Sequence, residues 1–278
     1  GAGSAGCVLA NKLSEDGKST VLLIEAGGKD TNLFIHMPSG YSQIVPETNN
    51  QNYGFETEPE ETTSGRKMYW PRGRGWGGSS SINAMIYIRG NASDYDQWRQ
   101  LGNPGWSYDD VLPYFKRAEN FKGEGDAAYH GFEGPLSVKK SDRTDDLLLD
   151  TFIEAGQQAG FPLSDDFNGK QQEGFARYEH TIKGSKRCSS ARAYLHPALK
   201  RKNLFTEINL TVDRVVFSGK RATGIECLKK GKRLTYRANK EVILSAGSVN
   251  SPQILMRSGV GDSDDIAPHG IQITHELK

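Results

Sequence analysis

The sequence predicts an α/β fold in which helices pack on a parallel sheet that is joined to a three-stranded β-meander. A glycine-rich turn at residues 1–6 leads into a helical apolar pattern, and the apolar run 21–24 is typical of a buried parallel strand. Between residues 210 and 244 the pattern changes to short β-rich runs separated by turn residues. The length of 278 residues allows one large or two ordinary domains.

The first half of the chain alternates helical and loop patterns. The run Cys7–Leu13 has helical apolar spacing, and with the strand Val21–Ile24 it forms the second half of a β-α-β unit. Residues 27–81 are rich in Gly, Pro, Asn, Ser and Thr, which indicates an extended surface loop. Two helices are predicted after it, at 107–120 and at 144–159, with Thr144 as the N-cap of the second.

The second half of the chain begins with the predicted meander, over Val212–Phe217, Gly224–Leu228 and Leu234–Arg237. A buried strand is then predicted at Glu241–Ser245, because this is a second continuous apolar run. A helix should follow it. Its N-cap should be Ser251, its first helical residue should be Pro252, and the helix should end at Gly259.

Composition excludes several classes of function. There are 35 Lys and Arg against 34 Asp and Glu, so no global field would attract nucleic acid or an anionic membrane. The longest apolar runs are far below the roughly 20 residues of a membrane helix, so we expect a soluble chain. Three separated cysteines and six histidines show no metal-ligand spacing, which favours a reducing, cytoplasmic location and no metal site.

The motif Gly1-Ala2-Gly3-Ser4-Ala5-Gly6 matches G-x-G-x-x-G at the start of a helix. Glycines there let the backbone approach a pyrophosphate, which the helix N-terminus stabilises. Glu25 is the last residue of the next strand, where a carboxylate can accept hydrogen bonds from an adenosine ribose. An acidic residue at this place disfavours a 2′-phosphate. The motif therefore predicts NAD or FAD binding and leaves the choice open.

The segment Gly73–Gly90 reads GRGWGGSSSINAMIYIRG. Its glycines, serines and Asn83 provide close backbone approach and several small hydrogen-bonding groups, which suit a planar polar ring and a phosphate. A flexible linker is the alternative, but linkers do not continue into the apolar run Met85–Ile88. This segment favours FAD.

These motifs resemble the glucose-methanol-choline (GMC) oxidoreductase family. Its first signature is similar to Gly73–Asp96, and its second is similar to Gly247–Gly261. The resemblance extends over the chain and includes Tyr129-His130-Gly131. It implies a Rossmann-like FAD-binding domain with part of an α+β substrate domain, and the residues that it implies for the cofactor are Gly1, Gly3, Gly6, Glu25, Ala26, Trp76, Gly78, Ser79, Asn83, Ala84, Ile86, Val212, Ala246 and Gly247.

The resemblance also carries expectations about attachment and catalysis. Some family members bind FAD covalently through a His before the motif Asn; Ile82 stands there, so FAD should be dissociable. The family's catalytic His lies near the C-terminus of a chain about twice as long. We therefore expect a chain that is incomplete at both ends, holds no catalytic residue, and has ordinary surface or packing histidines at His180, His196, His269 and His275.

The expected domain order is an FAD-binding part at 1–120, a substrate-domain part at 121–195 and a second FAD-binding part at 196–278. Within the family the likeness is greatest to choline dehydrogenases and aliphatic alcohol dehydrogenases. The expected reaction is oxidation of a primary alcohol, choline or an aliphatic one, with a quinone or dye as acceptor rather than NAD and with possible peripheral membrane association. The alternatives are an NAD-dependent Rossmann dehydrogenase and a non-redox flavin protein such as a lyase.

Overall fold

The computed structural model describes residues 1–140 and 146–278, which form two compact units. The first unit comprises Gly1–Ile35, Gly40–Ile82 and Ser190–Lys278, and the second comprises His36–Ser39 and Asn83–Ser189. The predicted boundaries at residues 120 and 195 concern cofactor and substrate domains, and they stay predictions.

Most elements are short, and the fold is mixed α/β as predicted. The α-helices are Ser4–Leu13, Leu33–His36, Tyr41–Ile44, Ala92–Gln100, Tyr108–Ala118, Leu147–Gln158, His196–Ala198, Gly247–Arg257 and Ser263–Ile266. The strands are Val21–Ile24, Phe55–Glu56, Tyr69–Trp70, Ile86–Tyr87, Glu119–Lys122, Leu136–Lys140, Glu179–His180, Ile182–Lys183, Lys186–Arg187, Leu204–Glu207, Thr211–Ser218, Arg221–Lys229, Lys232–Arg237, Val260–Gly261 and His275–Glu276. The 3-10 turns are Pro38–Gly40, Glu61–Thr63, Gly78–Ser81 and Ala267–His269, and Ala191–Leu195 is a π-helical turn.

The first unit contains the predicted parallel strand. Val21–Ile24 pairs in parallel with Leu204–Glu207, a partner that the apolar pattern did not identify. The helix Ser4–Leu13 packs on the π-helical turn Ala191–Leu195, where the buried Asn11 side chain donates to a turn carbonyl at 2.7 Å. These contacts fix the glycine loop that precedes the helix.

The predicted meander is confirmed. Its three strands, Thr211–Ser218, Arg221–Lys229 and Lys232–Arg237, pair antiparallel in chain order. Gly219 (φ 57°) and Gly231 (φ 76°) adopt the left-handed conformation that tight hairpin turns require. The meander shares a core with the end of the Val21–Ile24 strand through Ile24, Leu210 and Cys227.

The predicted strand at Glu241–Ser245 is wrong. These residues have no strand structure, and Ile243 is 42% exposed. A strand requires a neighbour that accepts and donates backbone hydrogen bonds. No backbone–backbone hydrogen bond among the described residues reaches this segment. The apolar run alone therefore gave the wrong assignment.

The start of the following helix is also corrected. The helix spans Gly247–Arg257, so it begins four residues before Ser251. The Ser251 hydroxyl accepts a hydrogen bond from the Ala246 amide at 3.0 Å, and Pro252 lies inside the helix. The stop is confirmed, since Gly259 has φ 80° directly after the last turn.

The second unit is organised by a four-stranded sheet with the order Ile86–Tyr87, Glu179–His180, Leu136–Lys140, Glu119–Lys122. The last two strands are parallel, whereas the other pairs are antiparallel. Val138 is 0% exposed and lies at the centre of this sheet.

The helices of the second unit begin at side-chain caps. Tyr108–Ala118 follows Ser107, whose hydroxyl accepts from the Asp110 amide at 3.3 Å, and this agrees with the predicted helix. Leu147–Gln158 is capped by Asp146. The predicted cap Thr144 lies outside the described residues.

None of the helices in the described ranges has the length and hydropathy needed to cross a membrane. Cys7, Cys188 and Cys227 are buried, reduced thiols. Burial raises the pKa of Cys7 to about 12 and that of Cys227 to about 11. Both thiols are therefore protonated at neutral pH and are poor nucleophiles.

Candidate dinucleotide site

Glu25 lies where three separate segments of the first unit meet. Its carboxylate is 6% exposed. Oε2 accepts from the Ala2 amide at 2.7 Å, and Oε1 accepts from the amides of Gly27 and Gly75 at 2.9 Å each. The Gly77 amide also donates to the Ala2 carbonyl at 2.7 Å. A carboxylate has about four acceptor positions, so one position on Oε2 remains for a hydroxyl.

Two of the predicted glycines are required by the protein itself. A Cβ on Gly6 would lie 1.8 Å from the Gly1 carbonyl oxygen, and a Cβ on Gly78 would lie 2.7 Å from the Gly3 Cα. Gly78 also has φ 51°. Gly3 is different, because the nearest atom to a Cβ there is 3.9 Å away. An alanine at position 3 would therefore fit the fold without a steric clash.

The N-terminus of the helix Ser4–Leu13 is open beside this loop. Gly3 is its N-cap and provides no side-chain hydrogen bond, and Ser4 and Ala5 are exposed. The first amides of a helix have no partner within the helix and carry partial positive charge. Together with Glu25, this end can bind a pyrophosphate next to a ribose.

The remaining predicted residues of the first unit lie around this centre. The Ser245 hydroxyl donates to the Gly1 carbonyl at 2.9 Å, which places Ala246 and Gly247 beside the glycine loop. Val212 packs on the core cluster beneath the meander. Ala26 follows Glu25, and the exposed Ser79 hydroxyl accepts from the Gly73 amide at 3.1 Å.

A cavity of about 480 Å³ in the first unit opens next to Gly27 and Gly75, the backbone partners of Glu25. Its walls are mostly polar and come from strand ends and the long loop. The polar side chains that line it are Lys29, Asp30, Thr31, Asn50, Gln51, Arg74, Trp76, Ser81 and Asn209.

Two buried donors of this cavity have no hydrogen-bond partner among the described residues: Nε1 of Trp76 and Nε of Arg74. Trp76 is 5% exposed, and Nζ of Lys29 lies 5.4 Å from the centre of its ring. Because a buried donor without a partner is costly, both N–H groups indicate where a polar ligand would be stabilised. Arg74 was not predicted; its only sequence signal is its position between two glycines.

Three predicted cofactor residues, Asn83, Ala84 and Ile86, belong to the second unit, and all three are exposed. Nη1 of Arg187 donates to the Asn83 carbonyl at 2.6 Å and to its Oδ1 at 2.8 Å. Arg187 is 1% exposed, and burial lowers its pKa to about 10. Arg187 was not predicted, because no local sequence pattern connects residues so distant in the chain.

The predicted packing role of His196 fits its surroundings. Its ring meets the edge of Trp76 with centroids 6.0 Å apart, and Nε2 lies 2.9 Å from Oδ1 of Asp30. Within the described part of the chain, no three His, Cys, Asp or Glu side chains are grouped so that they could hold a metal ion.

Curated relatives match the whole chain. It is 48% identical over 284 residues to "Choline dehydrogenase, mitochondrial" of Homo sapiens, with 100% of this chain and 47% of the relative covered. It is 47% identical over 273 residues to "Oxygen-dependent choline dehydrogenase" of Rhizobium etli, with 98% and 49% covered. The chain thus spans about half the length of these relatives.

Solved structures with the same fold include flavoenzymes. Pyridoxine 4-oxidase from Mesorbium loti superposes with a TM-score of 0.94 at 34% identity, covering 100% of this chain and 54% of that one. An FAD-dependent oxidoreductase from Chaetomium thermophilum superposes with a TM-score of 0.91 at 29% identity, covering 100% and 49%.

The sequence also matches the family described as GMC oxidoreductase over residues 1–277. This match includes both segments in which the sequence analysis found the family signatures, and it agrees with the identity to the curated relatives. The chain belongs to the GMC oxidoreductase family.

Proposed function

We propose that the protein is an FAD-dependent enzyme that oxidises a primary alcohol to the aldehyde. The observation that carries this proposal is the meeting of the glycine loop, the Glu25 carboxylate and the Gly75–Gly78 backbone in one place. These segments are far apart in sequence, and each supplies a group that a dinucleotide needs.

The residues present fit FAD. The free acceptor position on Oε2 of Glu25 suits a ribose hydroxyl, and the open helix N-terminus at Ser4 suits the pyrophosphate. The buried donors of Arg74 and Trp76 provide further hydrogen bonds for polar groups of the cofactor. When bound, FAD supplies the hydride acceptor for alcohol oxidation. The residues of this chain bind and orient it.

We further propose that FAD is bound without a covalent bond. The residue before Asn83 is Ile82, which is 4% exposed and packs with Ile35 and Ile44. Its side chain has no nucleophilic atom, so it cannot form the bond that a histidine at this position forms in some family members. The affinity for FAD must therefore come from non-covalent contacts.

For the substrate we propose choline, with an aliphatic primary alcohol as the alternative. The support for choline is the identity of 47–48% to relatives that are named choline dehydrogenases. We also propose a quinone or a quinone-like dye, rather than NAD, as the electron acceptor of the reduced flavin. Peripheral membrane association stays an expectation.

The substrate is tested by adding alcohols to the full-length FAD-loaded protein without oxygen and following the loss of flavin absorbance. We expect choline to reduce the flavin. The matched control is the carbon analogue of choline, in which a tert-butyl group replaces the trimethylammonium. Faster reduction by this analogue or by hexanol would select the aliphatic alternative, and no reduction by any of the three would contradict alcohol oxidation.

A further inference from the structure

His130 lies in a buried polar cluster of the second unit. It is 1% exposed. Nδ1 lies 3.1 Å from both carboxylate oxygens of Glu119, and Nε2 lies 2.7 Å from Oδ2 of Asp166. The ring also stacks on Phe121 with centroids 4.1 Å apart. Each ring nitrogen therefore faces a carboxylate.

This geometry favours a charged imidazolium. A neutral histidine has one N–H and one lone pair, so one nitrogen would direct its lone pair at a carboxylate oxygen. In the imidazolium both nitrogens donate. Burial lowers the pKa of His130, but hydrogen bonds with Asp166 and Glu119 raise it more, to a net value of about 9. The direction of this shift agrees with the geometry.

Arg89 is the second cation of the cluster. Its Nη2 lies 2.9 Å from Oε2 of Glu119, and its Nη1 donates to the Tyr129 carbonyl at 2.8 Å. The Gly131 amide also donates to Oε2 of Glu119 at 2.9 Å. Two cations and two carboxylates are thus in direct contact. Glu179 is a third buried carboxyl group of the cluster: its Oε2 accepts from Nδ2 of Asn168, and burial and the charge of Asp166 raise its pKa. Removing one of the two cations leaves a buried negative charge uncompensated.

The cluster continues to the backbone of Ile86–Arg89 through Asn168. Oδ1 of Asp166 accepts from the Asn168 backbone amide at 2.8 Å, which fixes the main chain from which the Asn168 side chain extends. Oε2 of Glu179 accepts from Nδ2 of that side chain at 2.9 Å. Oδ1 of Asn168 then accepts from the Arg89 amide at 2.8 Å, and its Nδ2 donates to the Tyr87 carbonyl at 3.1 Å. The carboxamide thereby holds the main chain on both sides of residue 88. Asn168 is 2% exposed.

We propose that His130, as an imidazolium bonded to both Glu119 and Asp166, is a positioning residue that fixes the Ile86–Arg89 backbone through Asn168. This segment includes Ile86, a residue assigned to FAD, so the consequence for the cofactor rests on the proposed function. The motif Tyr129-His130-Gly131 thereby has a physical role. His130 does not touch the cofactor in this account.

The first test measures hydrogen exchange in the full-length protein and in its His130→Gln variant. We expect exchange of residues 86–90 to rise about tenfold, because a neutral side chain cannot hold both carboxylates. The helix Tyr108–Ala118 in the same unit should change little. If His130→Gln folds poorly, Asp166→Asn is the substitute variant, because it keeps the side-chain shape at a position that is 22% exposed. It should give the same local rise in exchange at residues 86–90. His269→Gln, at an exposed histidine, is the control.

Two further readouts separate positioning from general stability. Nitrogen NMR near neutral pH should show both ring nitrogens of His130 protonated. The dissociation constant for FAD should rise roughly fivefold or more in His130→Gln, a coupling of ordinary size. Equal exchange changes across the whole unit, no change at residues 86–90, or an unprotonated ring nitrogen would overturn the proposal. If the wild type binds no flavin, the proposed function fails, while exchange and NMR still decide the role of His130.

Discussion

Replacing Glu25 with alanine is expected to weaken FAD binding by about a hundredfold or more. The variant loses an acceptor for the ribose and leaves the amides of Ala2, Gly27 and Gly75 without their carboxylate. The one hydrogen bond to FAD that is lost contributes about 1.5–3 kcal/mol, or a factor of about 10 to 150 in the dissociation constant, and the three released amides also loosen the loops that contact FAD. The measurement is a titration of the full-length apoprotein with FAD, followed by flavin fluorescence.

Glu15→Ala is the matched control for loss of a carboxylate. The Glu15 side chain lies two residues beyond the helix Ser4–Leu13 and is 54% exposed; among the described residues its ion pair is with Lys12, at 3.1 Å. Such exposed pairs contribute about 0.2–1 kcal/mol to stability and should not affect FAD. Glu25→Gln keeps the side-chain size but replaces one acceptor oxygen with an NH2 donor, so it tests the loss of the charge together with the loss of that acceptor. The assignment of Glu25 is wrong if the Glu25 and Glu15 variants bind FAD with the same dissociation constant.

The variants Gly3→Ala and Gly6→Ala should lose different properties: Gly3→Ala should lose affinity for FAD, and Gly6→Ala should lose stability of the apoprotein. A Cβ on Gly6 would overlap the Gly1 carbonyl oxygen, so Gly6→Ala should lower the thermal stability of the apoprotein itself. A Cβ on Gly3 meets its nearest atom only at 3.9 Å, in a backbone conformation open to alanine. Gly3→Ala should therefore fold normally and bind FAD roughly tenfold or more weakly, because the added methyl prevents close approach of the pyrophosphate.

Thermal unfolding of the two apoproteins and FAD titration of Gly3→Ala test this contrast. Normal FAD affinity in Gly3→Ala would mean that the cofactor does not approach the glycine loop. Equal loss of stability in both variants would mean that Gly3, too, is needed for folding alone.

The parts of the fold that sequence could predict are those with local signals. The strand Val21–Ile24 is a short apolar run, and the meander is marked by glycines such as Gly219 and Gly231 that permit tight turns. The strand predicted at Glu241–Ser245 failed, since an apolar run does not show whether a pairing partner is present.

In the candidate site, too, residues with a local sequence signal could be predicted, whereas residues that act through distant contacts could not. Gly6, Glu25 and Gly78 belong to motifs whose chemistry is visible in the sequence, and the structure brings them together. Arg74, Arg187 and His130 could not be assigned from sequence, because their roles depend on contacts with distant residues. Arg187, for example, donates to Asn83, which is 104 positions away.

The most direct measurement of the central claim is the identity and release of the cofactor. The full-length protein should purify with a flavin absorption spectrum, and acid precipitation should release FAD into the supernatant, because Ile82 offers no group for a covalent bond. Chromatography against authentic FAD, FMN and NAD identifies the released compound. We expect FAD in near-stoichiometric amount in the supernatant; flavin retained on the precipitate would contradict non-covalent binding, and FMN, NAD or no nucleotide would contradict the FAD site itself.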